Sequence, residues 1–192
     1  MSALLDDEVR GLDRLPPDAL YEVIDGEAKE IPPMGFASTV FASEFAFRLG
    51  QARPSPRDMI AVESLFALPA PVNRRRRPDV AYLPAARVPA NWPPPLGEDP
   101  PHIDAVPALA VEVVSPSDLA VELEEKCREY LRAGVVIVLA VYPSTRTIHV
   151  YEPGSAAHVL TEADTLDLGS IIPGFSVPVA DLFAPLNPPA QP

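Results

Sequence analysis

The chain has 192 residues, of which 47% are hydrophobic and 22% are charged, and its formal net charge is −12. This length suits one domain with a sizeable core, and the acidic balance argues against non-specific binding of nucleic acid through bulk electrostatics, while permitting a local basic patch. The single cysteine, Cys127, excludes an internal disulfide framework and a cysteine-based zinc site. The sequence contains no apolar stretch long enough to span a membrane and no signal-like N-terminal run, which predicts a cytoplasmic protein.

The N-terminal part of the chain predicts an arm and a hairpin. Residues 1–19 are mixed and acidic, which is typical of a flexible or short helical arm. Tyr21–Ile31 contains Asp25-Gly26, a dipeptide that favours a tight turn between two antiparallel strands.

A helix is predicted next, over Phe36–Leu49, with a stop at Gly50. Glu44 and Arg48 lie one turn apart in it, and we expect them to pair with each other. In the alternative, Glu44 is a further carboxylate of the site described below, together with Glu27 of the hairpin.

Two strand candidates lie on either side of the basic run of the chain. Met59–Leu68 is a largely apolar strand candidate with a carboxylate inside it, Glu63. Val80–Leu83 is a short apolar run. The segment between them predicts an exposed loop that opens onto Asp79. Its arginines are candidate contacts for nucleic-acid phosphates: Arg74, Arg75, Arg76 and Arg77.

The central stretch predicts a buried strand followed by an amphipathic helix. Leu109–Val114 is apolar and β-branched except for Glu112. A carboxylate in a buried strand has to be paired, hydrogen-bonded or bound to a metal. Residues 118–133 follow as a helix that Gly134 ends.

The lysine of this helix, Lys126, lies at the flank of the helix's apolar arc and leans towards the strand. On these two residues alone, a buried Glu112–Lys126 ion pair without chemistry is as good an interpretation as a functional site.

The remaining pattern predicts mostly strands. They are Val135–Val141, Thr147–Glu152, Ala156–Leu160 and Thr165–Leu168, before a turn at Ile172–Phe175 and a short element at Val179–Phe183. Proline-rich residues 84–107 predict a loop. The order of elements predicts an α/β (α+β) fold, a mixed sheet flanked by helices. We expect a flexible arm over 1–19, one domain over 20–184 and a loose tail over 185–192.

Asp79, Glu112 and Lys126 together indicate metal chemistry. An acid at a strand start and an acid within a neighbouring strand can hold a divalent cation, with the peptide carbonyl of Val113 as a third ligand. A nearby lysine can orient the attacking water and stabilise phosphate charge. PD-(D/E)xK nucleases hydrolyse phosphodiesters in this way. Their lysine usually lies two residues after the acid, where this chain has Val114, and Lys126 offers a substitute.

The chain resembles the Uma2 family, also called DUF820, whose members are described as restriction endonucleases. The resemblance runs from about Tyr21 to Phe183. It rests on Tyr21-Glu-Val-Ile-Asp-Gly-Glu27, Arg77-Pro-Asp-Val80, Val111-Glu-Val-Val-Ser-Pro-Ser117, Glu125-Lys126…Tyr130…Ala133-Gly-Val135 and Ile172-Pro-Gly-Phe…Asp181-Leu-Phe183. It implies a PD-(D/E)xK restriction-endonuclease-like core with an N-terminal β-hairpin.

The resemblance also implies roles. Asp79 and Glu112 would be metal ligands for Mg²⁺ or Mn²⁺, Lys126 the displaced lysine, DNA the substrate, and the assembly a homodimer. Two segments depart from the family pattern. Ser38 stands where a histidine usually opens the first helix, and Leu139-Ala-Val-Tyr-Pro143 replaces an aromatic-rich segment with Asp-Pro.

The sequence therefore predicts a metal-dependent endonuclease that hydrolyses phosphodiester bonds in DNA. The alternative is a nuclease fold without catalysis that serves as a DNA-binding or protein-interaction module, which Ser38 and the acidic charge favour. A third interpretation is a structural domain whose buried charges only fix its packing.

Overall fold

The structure is a computed structural model that describes residues 9–95 and 101–187. In these ranges the chain forms twelve β-strands and three α-helices. The strands are β1 (Tyr21–Ile24), β2 (Glu27–Glu30), β3 (Met59–Val62), β4 (Phe66–Leu68), β5 (Arg74–Arg76), β6 (Val80–Leu83), β7 (Leu109–Val113), β8 (Ile137–Tyr142), β9 (Thr147–Tyr151), β10 (His158–Leu160), β11 (Thr165–Asp167) and β12 (Ser176–Pro178). The helices are α1 (Phe36–Ala52), α2 (Ala120–Ala133) and α3 (Val179–Phe183).

The largest sheet contains six strands in the order β10-β9-β8-β7-β6-β3. Its neighbours are antiparallel except β7 and β8, which are parallel because α2 carries the chain across between them. Side chains of α1 and α3 pack with one face of this sheet, and side chains of α2 pack with the other. The predicted mixed sheet flanked by helices is confirmed.

Alternation along β7 decides which way Glu112 faces. Val111 and Val113 join the core cluster on the α1 side, whereas Ala110 joins the cluster that contains Cys127 and Tyr130 of α2. Successive side chains of a strand point to opposite faces. Glu112 therefore points towards α2, like Ala110.

A second, antiparallel sheet has the order β2-β1-β5-β4. The predicted hairpin is confirmed, and Asp25 and Gly26 both have the positive φ, 54° and 76°, that a tight primed turn requires. The prediction of an exposed arginine loop is wrong, because Arg74–Arg76 is a strand between β1 and β4. Arg75 and Arg76 are buried in it.

The segment Met59–Leu68 also differs from its prediction, since it forms two strands and not one. The chain turns at Glu63, whose φ is 46°, so β3 lies in the six-stranded sheet and β4 in the four-stranded sheet. Helix α1 continues past Gly50 to Ala52. Helix α2 ends as predicted at Gly134, which has a left-handed φ of 103°.

Part of the predicted arm is attached to the hairpin. Val9 is buried, the Arg10 amide donates to the Gly26 carbonyl at 2.9 Å, and Ala28 donates to the Arg10 carbonyl at 2.8 Å. A 3₁₀ turn over Leu12–Arg14 follows, and another over Ala184–Leu186 begins the predicted tail. The rest of those two predictions, residues 1–8 and 188–192, lies outside the described residues. Within the described ranges, no helix has the length and apolar character needed to cross a membrane.

Candidate active site

Glu112 and Lys126 meet between β7 and α2. The Lys126 ammonium donates to Oε2 of Glu112 at 2.8 Å, and the Tyr130 hydroxyl donates to Oε1 at 2.8 Å. Lys126 and Tyr130 lie one helical turn apart, so both reach the same carboxylate from one face of α2. Side chains of α2 therefore hydrogen-bond both carboxylate oxygens of Glu112, which is only 7% exposed.

Asp79 lies beside this pair, just before β6. The register of β6 with β7 pairs Val80 with Val111, and its continuation brings Asp79 next to Glu112. Oδ2 of Asp79 accepts a hydrogen bond from the Val113 amide at 2.5 Å, and the Asp79 carbonyl accepts one from the Glu63 amide at 3.1 Å. The structure thus brings the two predicted acids to adjacent positions of neighbouring strands.

The pKa values of Asp79 and Glu112 are both raised, because the two carboxylates are buried and have other acids nearby. Burial raises the pKa of Asp79 to about 6, and Glu63 and Asp118 add to that rise while the Val113 amide and Lys126 oppose it. Burial likewise raises the pKa of Glu112 to about 7, with Asp79 and Glu22 adding and Lys126 opposing. Both carboxylates would gain from a positive charge placed between them.

A third acid, Glu22 of β1, also contacts the lysine. Its Oε1 lies 2.9 Å from the Lys126 ammonium and also accepts the Arg77 amide at 2.9 Å. Its Oε2 accepts from the Arg76 guanidinium at 2.6 Å. Burial alone would raise the pKa of Glu22, but Lys126 and Arg76 outweigh it and lower that pKa. Burial would lower the pKa of Lys126, and the two glutamates together raise it.

The ion pairs continue away from the site along β5. Arg76 also donates to Oε2 of Glu129 at 2.7 Å, Arg74 donates to Oε1 of the same residue, and Arg74 contacts Asp25 at 3.0 Å. Opposite charges therefore alternate from Glu112 to Asp25 across α2 and the four-stranded sheet. Arg74 and Arg76 are bound to acids of this chain, which explains why an arginine run can form an internal strand.

Sequence reasoning missed Glu22 and Glu129. Glu22 is 4% exposed between Tyr21 and Val23, and Glu129 is 1% exposed on α2. An acid inside a short predicted strand was the available signal for Glu22. Glu129 falls outside the apolar arc of its helix, so the pattern predicted solvent exposure for it.

The other predicted site residues lie elsewhere or have different contacts. Glu44 accepts from Arg48 at 2.6 Å, which confirms their expected pairing, and Glu27 is exposed on β2. Neither belongs to the site around Glu112. Ser38 is buried in the first turn of α1. The guanidinium of Arg77 contacts the backbone carbonyls of Tyr21 and Glu63.

The donor set agrees with a hard divalent cation. Among the described residues, no three acidic, histidine or cysteine side chains are grouped as a complete metal site. Mg²⁺ is commonly bound through one or two carboxylates and keeps several water ligands. Asp79 and Glu112 meet that requirement, and a bound cation would favour the charged forms that burial disfavours when it raises their pKa values. Val113 as a carbonyl ligand stays a prediction.

Comparison with known proteins identifies the family and the fold. The sequence model of the Uma2 family, described as "Putative restriction endonuclease", matches residues 7–180. The chain belongs to the Uma2 family. The structure of this Uma2 protein is similar to a crystal structure titled as a putative nuclease belonging to DUF820 from Anabaena variabilis ATCC 29413. The TM-score is 0.77 at 19% identity, over 91% of this chain and 96% of that chain. No curated protein matches the chain.

At this identity the structural likeness establishes the fold. The predicted restriction-endonuclease-like core is therefore confirmed for this Uma2 chain, and so is the family resemblance.

Proposed function

We propose that this Uma2 protein is a Mg²⁺- or Mn²⁺-dependent endonuclease that hydrolyses phosphodiester bonds in DNA. The observation that carries the proposal is the meeting of three side chains. Asp79 and Glu112 occupy adjacent positions of neighbouring strands, and the Lys126 ammonium lies 2.8 Å from Glu112. Family membership supports a nuclease as the class of protein, and restriction-endonuclease-like families generally use divalent metals.

Each residue has a role in this proposal. Asp79 and Glu112 would hold the cation together with the Val113 carbonyl. When bound, such a cation polarises a phosphate oxygen and lowers the pKa of its water. The Val113 amide fixes the orientation of Asp79, and the Tyr130 hydroxyl fixes that of Glu112. The Lys126 ammonium would neutralise charge that develops on the phosphate.

The arginine run is a weaker part of the proposal. Arg74 and Arg76 already neutralise buried acids of this chain, so a direct phosphate contact by either would have to replace those ion pairs. Arg77 is the better candidate for a direct contact, because its guanidinium contacts backbone carbonyls and not carboxylates in the described structure. Arg75 is buried in β5.

A cleavage assay tests the proposal. We expect plasmid DNA to be nicked in Mg²⁺ or Mn²⁺ and not in EDTA. Asp79→Asn and Glu112→Gln should each lower the rate on the order of 10²-fold. Glu44→Gln is the matched control, since it neutralises an acid that pairs with Arg48 away from the site. Cleavage that survives in Asp79→Asn, or that is lost equally in the control, would contradict the assignment.

Two observations favour the alternative, a nuclease fold that binds DNA or a protein without cutting. Lys126 is shared by two carboxylates in this structure, and Ser38 stands in the first turn of α1. DNA binding by the wild type without cleavage in either metal would select it. A homodimer, implied by the family resemblance, is also part of the proposal, and light scattering after size-exclusion chromatography measures it.

A further inference from the structure

Glu22 and Glu112 hold the same ammonium from two different sheets. Lys126 lies 2.8 Å from Glu112 of the six-stranded sheet and 2.9 Å from Glu22 of the four-stranded sheet. A cation bound by Glu112 would repel this ammonium and compete with it for the carboxylate. The lysine then needs a second partner if its ammonium is to stay beside Asp79 and Glu112.

We propose that Glu22 is a positioning residue that keeps the Lys126 ammonium beside Asp79 and Glu112 when a divalent cation engages Glu112. The inference rests on the proposed function for its cation, but the two-carboxylate grip on Lys126 is a property of the chain itself. Glu22 acts through Lys126 and contacts no substrate.

Glu22 is built to hold this position. The Arg76 guanidinium holds Oε2 of the Glu22 carboxylate at 2.6 Å, and the Arg77 amide donates at 2.9 Å to Oε1, the oxygen that also contacts Lys126. Arg76 is fixed in turn by Glu129 at 2.7 Å. Charge-assisted hydrogen bonds of this kind are short and directional, so Glu22 stays in place whether or not Glu112 is occupied.

Glu22 also supplies the negative charge that the Lys126 ammonium needs once a cation has engaged Glu112. With a cation on Asp79 and Glu112, the ammonium of Lys126 would face that cation with no anion beside it unless Glu22 remains. Glu22→Gln should therefore make Lys126 rely on Glu112 alone. The ammonium then competes more strongly with the cation, and Mn²⁺ affinity should fall on the order of tenfold, the loss expected for one charge-assisted hydrogen bond.

Acylation of lysines followed by peptide mass spectrometry measures how accessible the Lys126 ammonium is to the reagent. The chain contains two lysines, so the reactivity of each can be followed separately. Lys29 is exposed on β2 and serves as the internal reference for reagent and folding, whereas Lys126 is the probe. In the wild type we expect Lys126 to react at least about tenfold more slowly than Lys29, with and without Mn²⁺, because two carboxylates hold its ammonium.

In Glu22→Gln, protection of Lys126 should persist without metal and be lost on addition of Mn²⁺. Glu44→Gln is the control, since it removes an ion-paired acid that contacts Arg48 and neither Lys126 nor Arg76. It should leave both the labelling ratio and the calorimetric Mn²⁺ affinity close to wild type. Loss of protection in both variants would assign Glu22 a structural role only and overturn the proposal.

A metal-free arm separates this inference from the proposed function. Glu112→Gln neutralises the competing carboxylate, and Lys126 should remain protected in it but become reactive in Glu112→Gln/Glu22→Gln. If the wild type binds no Mn²⁺, the proposed function fails and this arm alone decides the inference. Glu22→Asp, which keeps the charge beside Arg76 but withdraws it from Lys126, should behave like Glu22→Gln to a smaller degree. Protection of Lys126 that is unchanged in both Glu22 variants with Mn²⁺, and in Glu112→Gln/Glu22→Gln without it, refutes the proposal.

Discussion

Replacing Lys126 with methionine separates a working site from a structural ion pair. Met keeps a similar apolar length and removes the charge that Glu112 and Glu22 share. Glu22 retains the Arg76 guanidinium and the Arg77 amide, but Glu112 retains only the Tyr130 hydroxyl. Glu112 is therefore the carboxylate that is left without a cationic partner. It is 7% exposed and lies next to Asp79.

The size of the effect follows from that burial. Removing one partner of a buried pair costs about 3–5 kcal/mol. Glu112 can relieve part of this by taking up a proton, since its pKa is already raised to about 7. We expect a loss of about 3 kcal/mol at pH 7.5, near the lower end of that range, which corresponds to a melting temperature roughly 6–12 °C lower. The loss should shrink as pH falls and Glu112 becomes protonated.

Thermal melts with and without Mn²⁺ give the decisive comparison. A cation at 100 times its dissociation constant stabilises the folded state by about 2.7 kcal/mol, so Mn²⁺ should restore most of the loss. The increment should exceed that of the wild type, because the competing ammonium is gone. Lys29→Met, at the exposed lysine, is the control and should melt like the wild type. A large destabilisation that Mn²⁺ leaves unchanged would refute the metal site and favour a structural Glu112–Lys126 pair.

Two further predictions concern the neighbouring charges. Arg76→Gln should cost about 3 kcal/mol in urea unfolding, because it removes the guanidinium that the buried Glu22 and Glu129 share and leaves each acid with one cationic partner. Arg128→Gln, at an exposed helix pair with Glu124, should change stability by less than about 1 kcal/mol. Equal effects of the two substitutions would contradict the ion-pair chain. The pKa of Asp79 is about 6 in the folded protein, which is higher than in the unfolded chain. Between pH 4 and 6 the folded state therefore binds more protons at Asp79 than the unfolded state does. Asp79 thus makes the metal-free protein more stable as pH falls. Asp79→Asn should remove that contribution and raise the free energy of unfolding at pH 7.5 by on the order of 1–2 kcal/mol, while abolishing stabilisation by Mn²⁺; a variant less stable than the wild type in EDTA would contradict it.

Local patterns predicted the centre of the site. A lone acid in an apolar β-branched run has to be partnered, and the wheel of the following helix placed Lys126 on the side that faces the strand. Glu112 and Lys126 are bonded in the structure for those reasons. The Asp25-Gly26 turn and the Gly134 stop were predicted equally well, because each depends on backbone conformations that few residues adopt.

Long-range contacts decided what the sequence did not reveal. Four consecutive arginines predict solvent exposure unless acids from distant segments neutralise them, and here Glu22 lies more than fifty residues before Arg76 and Glu129 more than fifty after it. The break in Met59–Leu68 depends on a positive φ at Glu63, which strand propensity does not predict. Both features are tertiary, and both involve the four-stranded sheet.

The turn at Glu63 has a mechanical consequence. The chain passes from one sheet to the other at residues 63–65 and again, in the opposite direction, at residues 77–79. The amide of Glu63 donates to the carbonyl of Asp79, so a backbone hydrogen bond joins these two crossings. The backbone at Asp79 is therefore one of the links between the two sheets. Hydrogen exchange should find the amides of Glu63 and Val113 opening together, because both donate to Asp79.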